Sequence, residues 1–272
     1  MTLQRSTPVV LTIAGSDCTA GAGLQADIKA CAAMGVYACS VVTAVTAQNP
    51  HGVQRIEIMP RAIIAAQLSS VMAAYPVSVI KIGMLGNLDV AEEIASFLRT
   101  TTVPVVIDPV FSASAGGSLC ADDALVFYRE QLLPLATVLT PNLIEASLLL
   151  DQSIAATHEA YEAQALALLK FGSQSVLLKG GHSFDQRLCS DYLAQAGIAE
   201  VKAYSAARLQ TPHGHGTGCT LASAIAAGLA QGLSLLQSVA AAKNYLHGSL
   251  ANAARLQLVP EHGPVHHFSN FW

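Results

Sequence analysis

The chain has 272 residues, of which 52% are hydrophobic and 12% are charged, and its formal net charge at pH 7 is −4. This length fits one large α/β domain or two small ones, and the low share of charged residues predicts a large apolar core. The slightly acidic balance excludes the basic stripe that binds nucleic acid or an anionic membrane surface.

Short, partly β-branched apolar runs alternate with longer runs of helical composition along the chain. The predicted strands are residues 9–14, 40–46, 77–82, 103–107, 137–140 and 175–179, with two weaker ones at 190–194 and 201–206. The predicted helices are residues 23–34, 61–74, 88–98, 121–133, 143–150, 159–171, 217–230 and 235–250. Near-continuous apolar strands indicate burial on both faces. We therefore predict one domain, residues 1–272, with a mostly parallel sheet between two layers of helices.

Cysteine usage and the apolar runs bear on the cellular compartment. Six cysteines are present and none forms a CxxC pair, which is typical of reduced thiols. No apolar run reaches the roughly 20 residues that a membrane-spanning helix needs. The apolar run of residues 8–14 ends without a small-residue cleavage site, so no export signal is recognisable. We expect a cytoplasmic protein that binds neither membrane nor nucleic acid.

The carboxyl ends of the predicted strands are the expected place for a ligand, because open α/β sheets bind ligands there. The stretches that follow the strands are GSDCTAGAG, QNPHG, GMLGN, DPV, TPN and GGHS. Within the first, residues 21–26 match the GxGxxA pattern of dinucleotide-binding turns. Several residues separate this pattern from the strand, and no acid follows about 20 residues later. A flexible strand-to-helix connection explains the glycines equally well, so a nicotinamide or flavin site is disfavoured.

The stretch HGHGTGCT, residues 213–220, places three glycines on alternate positions before a predicted helix. Bare backbone, free N–H groups and the dipole at a helix start together favour an anion site. Cys219 would lie in the first turn, where the pKa of a thiol tends to fall. Three plainer interpretations stay open: a connecting turn, a core cysteine, and a metal site of His213, His215 and Cys219, although no second ligand cluster is visible.

Polar residues at three strand ends predict a further part of this site. Asp108 ends one strand, Asn142 and Glu145 begin the helix after the next, and Lys179 ends a third. A carboxylate pair can hold Mg²⁺ through water, and a lysine beside it can bind a phosphate. Singly, Asp108 fits a turn, Asn142 a helix N-cap and Glu145 a first-turn acid. Together at one rim of the sheet, they favour a site for Mg²⁺ and a nucleotide.

Seven longer stretches, taken together and in their order along the chain, resemble one protein family. They are LTIAGSDCTAGAGLQADIKACAAMGVYACSVVTAVTAQN, KIGMLGN, DPV, LTPNLIEA, VLLKGGH, GHGTGCTLASAIAA and GPVHHF, and they run from residue 11 to residue 268. In this order they resemble the hydroxymethylpyrimidine and hydroxymethylpyrimidine-phosphate kinases of thiamine biosynthesis, in the ribokinase-like superfamily. The resemblance implies a ribokinase-like three-layer α/β/α fold with a central, mostly parallel sheet. It also implies a homodimer that uses ATP with Mg²⁺ and a pyrimidine alcohol or its phosphate ester.

The resemblance implies roles for residues on the acceptor side of the site. Asp27 and Gln48 match positions that hydrogen-bond the aminopyrimidine. Met84 and Val110 match the apolar walls around it. A carboxylate and an amide can pair with the ring nitrogens and the amino group of such a ligand in a dry pocket.

The resemblance also implies roles on the phosphate side. The residues that match the region serving Mg²⁺ and phosphate are Asp108, Asn142 and Glu145. The residues that match the anion hole are Gly216, Thr217 and Gly218. Lys179 matches a phosphate-contacting lysine, and Cys219 occupies the catalytic position, which is aspartate in ribokinase.

Three departures from the family pattern bear on substrate range. Family members often read DPVMVAKSG, whereas this chain reads DPVFSASAGG over residues 108–117, with Ser114 at the lysine position. Ala20 replaces a usual glycine, and Gly214 replaces a frequent threonine. The sequence still predicts a kinase that phosphorylates the pyrimidine alcohol and then its monophosphate. The alternatives are a pyridoxal or pyridoxine kinase and a non-catalytic pyrimidine-binding protein.

Overall fold

The computed structural model describes residues 7–111, 122–181 and 183–272. The strands in these ranges are β1 (Val9–Asp17), β2 (Tyr37–Asn49), β3 (Gly52–Ile58), β4 (Val77–Ile82), β5 (Val105–Ile107), β6 (Val138–Leu139), β7 (Ser175–Leu178), β8 (Leu188–Gln195) and β9 (Ile198–Ala207). They form one sheet in the order β3-β2-β1-β4-β5-β6-β7-β8-β9. The six central strands, β2-β1-β4-β5-β6-β7, pair in parallel. At one edge β3 pairs antiparallel with β2, and at the other edge β8 pairs antiparallel with β7 and β9 antiparallel with β8.

Helices cover both faces of the sheet. They are α1 (Gly23–Ala33), α2 (Arg61–Ala74), α3 (Leu88–Leu98), α4 (Asp122–Phe127), α5 (Leu143–Leu150), α6 (His158–Leu168), α7 (Thr217–Ala230) and α8 (Leu235–Ala251). In the part of the chain that the structure describes, none of the helices has the length and apolarity that crossing a membrane requires.

Alternate residues of β1 enter two separate cores. Leu11 and Ile13 are fully buried against the layer that contains α2 and α3. Val10 is fully buried in the opposite core, formed with α1, α7 and α8. Because successive side chains of a strand point to opposite faces, this alternation shows that the sheet is covered on both sides. The predicted three-layer α/β/α fold with a mostly parallel sheet is confirmed.

The edge strand β3 was not predicted, and β2 is longer than predicted. The sequence of β3, GVQRIEI, is half polar, and none of its residues is fully buried. An antiparallel edge strand with solvent on one face lacks the continuous apolar run that marked the central strands. The altered loop at residues 111–117 lies outside the described residues except for Phe111, whose buried ring packs edge-on against Tyr128 at 5.1 Å.

Helices α7 and α8 approach each other closely at Gly228. A Cβ atom added at Gly228 would lie 2.9 Å from Cβ and 3.0 Å from Cα of Ser238. In contrast, a Cβ atom added at Gly248 in α8 would meet no atom within 4 Å. The same helix pair therefore contains one glycine that the packing requires and one that it does not.

Gly228→Ala is expected to lower the free energy of unfolding by about 1–3 kcal/mol, because the added methyl group meets the backbone of Ser238. Gly248→Ala is expected to raise it by about 0.5–1 kcal/mol, since alanine restricts the unfolded chain and favours the helix. Urea unfolding followed by circular dichroism measures both changes. Equal effects of the two substitutions would contradict the close contact.

Candidate active site

The ends of β5, β6 and β7 bring three charged side chains to the start of α7. Nζ of Lys179 lies 2.5 Å from Oδ1 of Asp108 and 3.9 Å from Oε2 of Glu145. A Cβ atom added at Gly218 would lie 3.3 Å from Nζ of Lys179 and 3.5 Å from Oδ2 of Asp108. An ammonium group and a buried carboxylate therefore face the bare backbone of the first turn of α7.

Burial and mutual repulsion set the charges on this rim. The pKa of Glu145 is raised to about 7, chiefly because the carboxyl group is buried; Lys179 opposes the rise and the charge of Asp108 adds to it. Burial alone would lower the pKa of Lys179, but Asp108 and Glu145 raise it above the ordinary value. Lys179 is therefore a permanent cation near neutral pH, whereas Glu145 exchanges its proton in that range.

Asn142 has a structural role at the start of α5. Its side-chain oxygen accepts hydrogen bonds from the backbone amides of Ile144 and Glu145, both at 2.9 Å. The backbone amide of Asn142 in turn donates to Oε2 of the Glu145 side chain at 2.7 Å. This is a capping box, which satisfies the free amides of a helix start. Both acceptor positions of the Asn142 side-chain oxygen are therefore in use, which corrects the expectation that Asn142 contributes to the Mg²⁺ site.

The start of α7 requires glycine at position 216. Gly216 is the N-cap of the helix and has a φ of +80°. A Cβ atom added there would lie 1.9 Å from the carbonyl oxygen of Gly21, so the loop after β1 touches this backbone directly. The amide of Thr217 already donates to the carbonyl oxygen of Gly214 at 3.3 Å. The amides of Gly218 and Cys219 are the next two donors in this first turn and are the candidates for binding an anion.

The expectation of a lowered thiol pKa at Cys219 is wrong. Burial raises the pKa of this half-buried thiol to about 11. Lys81 and the amide of Gly23 act in the opposite direction, whereas the carboxylates of Asp27 and Asp108 add to the rise. Loss of solvation outweighs the opposing effects of Lys81 and the Gly23 amide, so Cys219 is a neutral thiol near pH 7.

Asp27 does not face the rim. It is fully buried, and its carboxylate oxygens accept hydrogen bonds from Thr12 (2.5 Å), Ser223 (2.7 Å) and Lys81 (2.8 Å). Lys81 is also fully buried; burial alone would lower its pKa, but Asp27 raises it above the ordinary value. The expectation that Asp27 contacts a pyrimidine directly is therefore wrong, because side chains of Thr12, Ser223 and Lys81 already hydrogen-bond this carboxylate.

The loop after β1 is organised by Asp17. Its carboxylate accepts from the amides of Thr19, Gly21 and Ala22 and lies 2.8 Å from Nε2 of His215. Hydrogen bonds with His215, Gln48 and Thr19 lower the pKa of Asp17 below its ordinary value, although burial alone would raise it. Asp17 thus joins the loop after β1 to the loop before α7.

The metal interpretation of the two loop histidines is also wrong. His215 is paired with Asp17, and Nδ1 of His213 accepts the amide of Gly263 at 3.2 Å. Across the described ranges, no group of three or more His, Cys, Asp or Glu side chains is arranged to hold a metal ion. The remaining metal-binding candidates are the two carboxylates of Asp108 and Glu145.

Gln48, Met84 and Val110 lie at the ends of β2, β4 and β5, on the other half of the rim. Each is partly exposed. The methyl group of Met84 covers Gly15, since an added Cβ there would lie 2.4 Å from it. The Gln48 side chain contributes to the lowered pKa of Asp17, which connects this half of the rim to the loop after β1.

Sequence reasoning missed several buried charges around this site. Lys81 was detectable, because a lysine inside the apolar run VSVIKI requires a buried partner. Asp191 could not have been detected from the sequence. Its carboxylate oxygens accept hydrogen bonds from the amide of Gly180 (2.9 Å) and from Nζ of Lys243 (2.7 Å), and only folding brings these groups together. Through Gly180 it holds the turn that follows Lys179.

Comparison with known proteins decides the family. The family model described as phosphomethylpyrimidine kinase matches residues 17–266. The chain belongs to the phosphomethylpyrimidine kinase family. A relative from Rhizobium meliloti, named hydroxymethylpyrimidine/phosphomethylpyrimidine kinase, is 43% identical over 266 residues, which cover 98% of this chain and 99% of the relative. A thiamine biosynthetic bifunctional enzyme of Arabidopsis thaliana is 42% identical over 97% of this chain and 51% of its own length.

A solved structure extends the family assignment to the fold. The pyridoxal kinase of Bacillus subtilis, solved as a complex with ADP, has a TM-score of 0.88 to this structure and 31% sequence identity. The match covers 97% of this chain and 99% of that chain. The ribokinase-like fold expected for the phosphomethylpyrimidine kinase family is confirmed.

Asp27→Asn is expected to lower the free energy of unfolding by about 3–5 kcal/mol, because it leaves the buried ammonium of Lys81 unpaired. Asp27→Asn with Lys81→Met, which removes both charges, should recover part of this loss. Urea unfolding at pH 7 measures both variants. Glu93→Gln, in the exposed pair with Arg61, is the control and should have a much smaller effect. If the Asp27→Asn protein were as stable as the wild type and had a raised KM for the pyrimidine but not for ATP, the result would support direct contact between Asp27 and the pyrimidine.

Proposed function

We propose that this chain is an ATP-dependent kinase that phosphorylates 4-amino-5-hydroxymethyl-2-methylpyrimidine and then converts the monophosphate to the diphosphate, for thiamine biosynthesis. One observation carries the proposal: Lys179 and Asp108 meet the first turn of α7 at Gly218. The family model and the named relatives support the same activity. The ADP-bound structural relative supports ATP as the phosphoryl donor.

On the phosphate side of the site, the residues would align the reactants and stabilise negative charge, and none would form a covalent bond to the phosphoryl group. Phosphoryl transfer depends mainly on alignment of the two oxygens and on stabilisation of negative charge. The amides of Gly218 and Cys219 point along the axis of α7 and would receive oxygens of the moving phosphoryl group. The ammonium of Lys179 lies beside them and would offset the charge that develops there.

The donor set on this rim fits Mg²⁺. Mg²⁺ binds oxygen ligands, often one or two carboxylates plus phosphate, and keeps several of its waters. Asp108 and Glu145 are two buried carboxylates on either side of one lysine, and repulsion by Asp108 contributes to the raised pKa of Glu145. A divalent cation would favour the ionised form of both carboxylates. When bound, Mg²⁺ would neutralise phosphate charge.

The acceptor half of the site lies at the ends of β2, β4 and β5. The side-chain amide of Gln48, which is partly exposed at the end of β2, would hydrogen-bond the exocyclic amino group of the pyrimidine through its oxygen. Met84 and Val110 would enclose the ring and its methyl group as apolar walls. Helix α7 packs against β1, β4 and β5. Cys219, in its first turn, would then stand between the two halves of the site, where the acceptor oxygen would meet the phosphoryl group.

The neutral thiol of Cys219 suits an enzyme with two acceptors. A carboxylate at this position would repel the monophosphate acceptor, which is already mostly ionised near neutral pH because its second pKa is about 6. The alcohol acceptor must lose a proton, and Cys219 can take it only as the thiolate. With a pKa of about 11, the thiolate is scarce near pH 7. The rate of the alcohol step, but not that of the monophosphate step, should therefore depend on the fraction of Cys219 that is thiolate.

A pyridoxal kinase is the second candidate function, since the Bacillus subtilis pyridoxal kinase shares the fold over nearly the whole chain. The 43% identical relative carries the pyrimidine kinase name, which favours the first candidate. A non-catalytic pyrimidine-binding protein is the third alternative. A homodimer and a single kinase domain over residues 1–272 stay predictions.

Purified protein with ATP and Mg²⁺ is expected to convert the hydroxymethylpyrimidine to the monophosphate and the diphosphate, as measured by chromatography of the products. Competition with pyridoxal separates the first two candidates: kcat/KM should be higher for the pyrimidine. A higher value for pyridoxal would favour the second candidate. Tight pyrimidine binding without ATP turnover would establish the third.

In the wild type, kcat for the alcohol should rise from pH 7 to pH 9 as thiolate forms below the pKa of about 11, whereas kcat for the monophosphate should stay flat. Cys219→Ala should abolish this rise and lose more of the alcohol step than of the monophosphate step. Cys219→Asp should harm the monophosphate step more. Equal losses in both steps for Cys219→Ala would contradict a proton-accepting role.

A further inference from the structure

A segment formed by residues 262–267 lies along the loop that precedes α7. The amide of His262 donates to the carbonyl oxygen of Pro212 at 3.0 Å, and the amide of Gly263 donates to Nδ1 of His213 at 3.2 Å. The amide of His215 donates back to the carbonyl oxygen of Gly263 at 3.2 Å. These bonds attach the 262–267 segment to the outer side of the phosphate-binding turn.

His267 contacts the other end of the same turn, inside the protein. Nε2 of His267 lies 3.0 Å from Oγ1 of Thr220, the residue after Cys219. Oγ1 of Thr220 also donates to the carbonyl oxygen of Gly216, the N-cap of α7, at 2.8 Å. Thr220 is fully buried and His267 is 4% exposed, so both bonds are shielded from bulk water.

The Thr220 hydroxyl links Gly216 to His267 in one chain of hydrogen bonds. With its single hydrogen donated to Gly216, the Thr220 oxygen accepts from His267 in the tautomer that carries a proton on Nε2. Burial lowers the pKa of His267 to about 4, and the positive charges of Lys29 and of protonated His266 act in the same direction. His267 is therefore a neutral imidazole near pH 7.

The backbone of His267 is held on α8. Its carbonyl oxygen accepts the hydroxyl group of Tyr245 at 2.8 Å, and the neighbouring amide of His266 donates to the carbonyl oxygen of Ser249 at 3.0 Å. The imidazole is thus supported by a helix that contributes no residue to the rim described above. A small change in the position of this ring would be transmitted through Thr220 to Gly216.

We propose that His267 is a positioning residue for phosphoryl transfer, which acts through Thr220 to hold Gly216 and the first-turn amides of α7 in place. This inference rests on the proposed kinase function. The amides of Gly218 and Cys219 stabilise the moving phosphoryl group only if they point at it before the reaction starts. A displacement of about 1 Å can reduce the rate by up to about a hundredfold.

The test compares His267→Leu with His267→Gln, because a glutamine NH₂ group can replace the Nε2 donor whereas leucine cannot. His267→Leu is expected to reduce kcat for both acceptors by about tenfold to a hundredfold, with KM for the pyrimidine unchanged. His267→Gln should retain kcat within about threefold of the wild type. Equal kcat losses in both folded variants would overturn the proposal.

A second readout does not depend on turnover. ADP with aluminium fluoride and Mg²⁺ mimics the phosphoryl group in transfer, and its affinity is measured by calorimetry against ADP with Mg²⁺ alone. His267→Leu should weaken binding of the fluoride complex by about tenfold and leave binding of ADP unchanged. Equal weakening of both ligands would indicate a general structural role and would overturn the proposal. This comparison stands even if wild-type protein phosphorylates neither pyrimidine, a result that would refute the proposed function alone.

Thr220→Val tests the connection between His267 and the turn. It removes the hydroxyl group and keeps the shape of the side chain, so its kcat should fall like that of His267→Leu. Because the two residues act in series, the double variant should lose no more than the larger single loss. Multiplied losses would overturn the proposal. If His267→Leu does not fold, Thr220→Val must by itself lower kcat at constant KM, and unchanged kcat would then overturn it.

His266→Leu is the matched control in the same segment. His266 is a neighbouring buried histidine whose ring packs against Trp272 at 4.5 Å. This substitution should lower the urea midpoint of unfolding but leave kcat and the affinity for the fluoride complex within about twofold of the wild type. A loss of kcat as large as that of His267→Leu would show that general loosening of the segment is the cause, and would overturn the proposal.

Discussion

The ion pair between Lys81 and Asp27 is the constraint on which the rest of the site depends. A lysine in a strand covered on both faces cannot remain charged without a partner, and Asp27 supplies that partner from α1. The same carboxylate binds Thr12 on β1 and Ser223 on α7, so one buried charge joins two strands and two helices. Ser223 lies one turn after Cys219 on α7. The pair thereby sets the height of α7 above the ends of the central strands.

Charges of opposite sign alternate along the rim that this packing creates. Lys179 lies between Asp108 and Glu145, and the raised pKa of Glu145 keeps the cluster from carrying two full negative charges before a ligand arrives. Cys219, above the Lys81–Asp27 pair, adds no charge of its own near pH 7. The rim is therefore nearly neutral at rest, which allows it to accept either an uncharged alcohol or an anionic phosphate ester in the same place.

Much of the fold could be predicted because each central strand is a short apolar run closed by a polar turn. The edge strand β3 escaped prediction because its exposed face removes that signal. The convergence of Asp108, Glu145 and Lys179 followed from parallel strands whose ends share one rim. The partner of Asp27 and the pKa of Cys219 did not follow. Both depend on burial created by segments far apart in sequence, and a local argument from a helix start gave the wrong sign for the thiol.

The loop after β1 also touches the 262–267 segment, since a Cβ atom added at Gly21 would lie 3.0 Å from Cβ of Pro264 and 2.4 Å from the His215 ring. Segments from opposite ends of the described chain therefore meet beside the turn proposed to bind phosphate. Contacts of such long sequence separation form slowly, because the loop between them must lose its conformational freedom first. Folding of this protein should thus produce the sheet and most helices before the turn at the start of α7 is in place. If that turn takes part in catalysis as proposed, recovery of activity lags behind recovery of secondary structure.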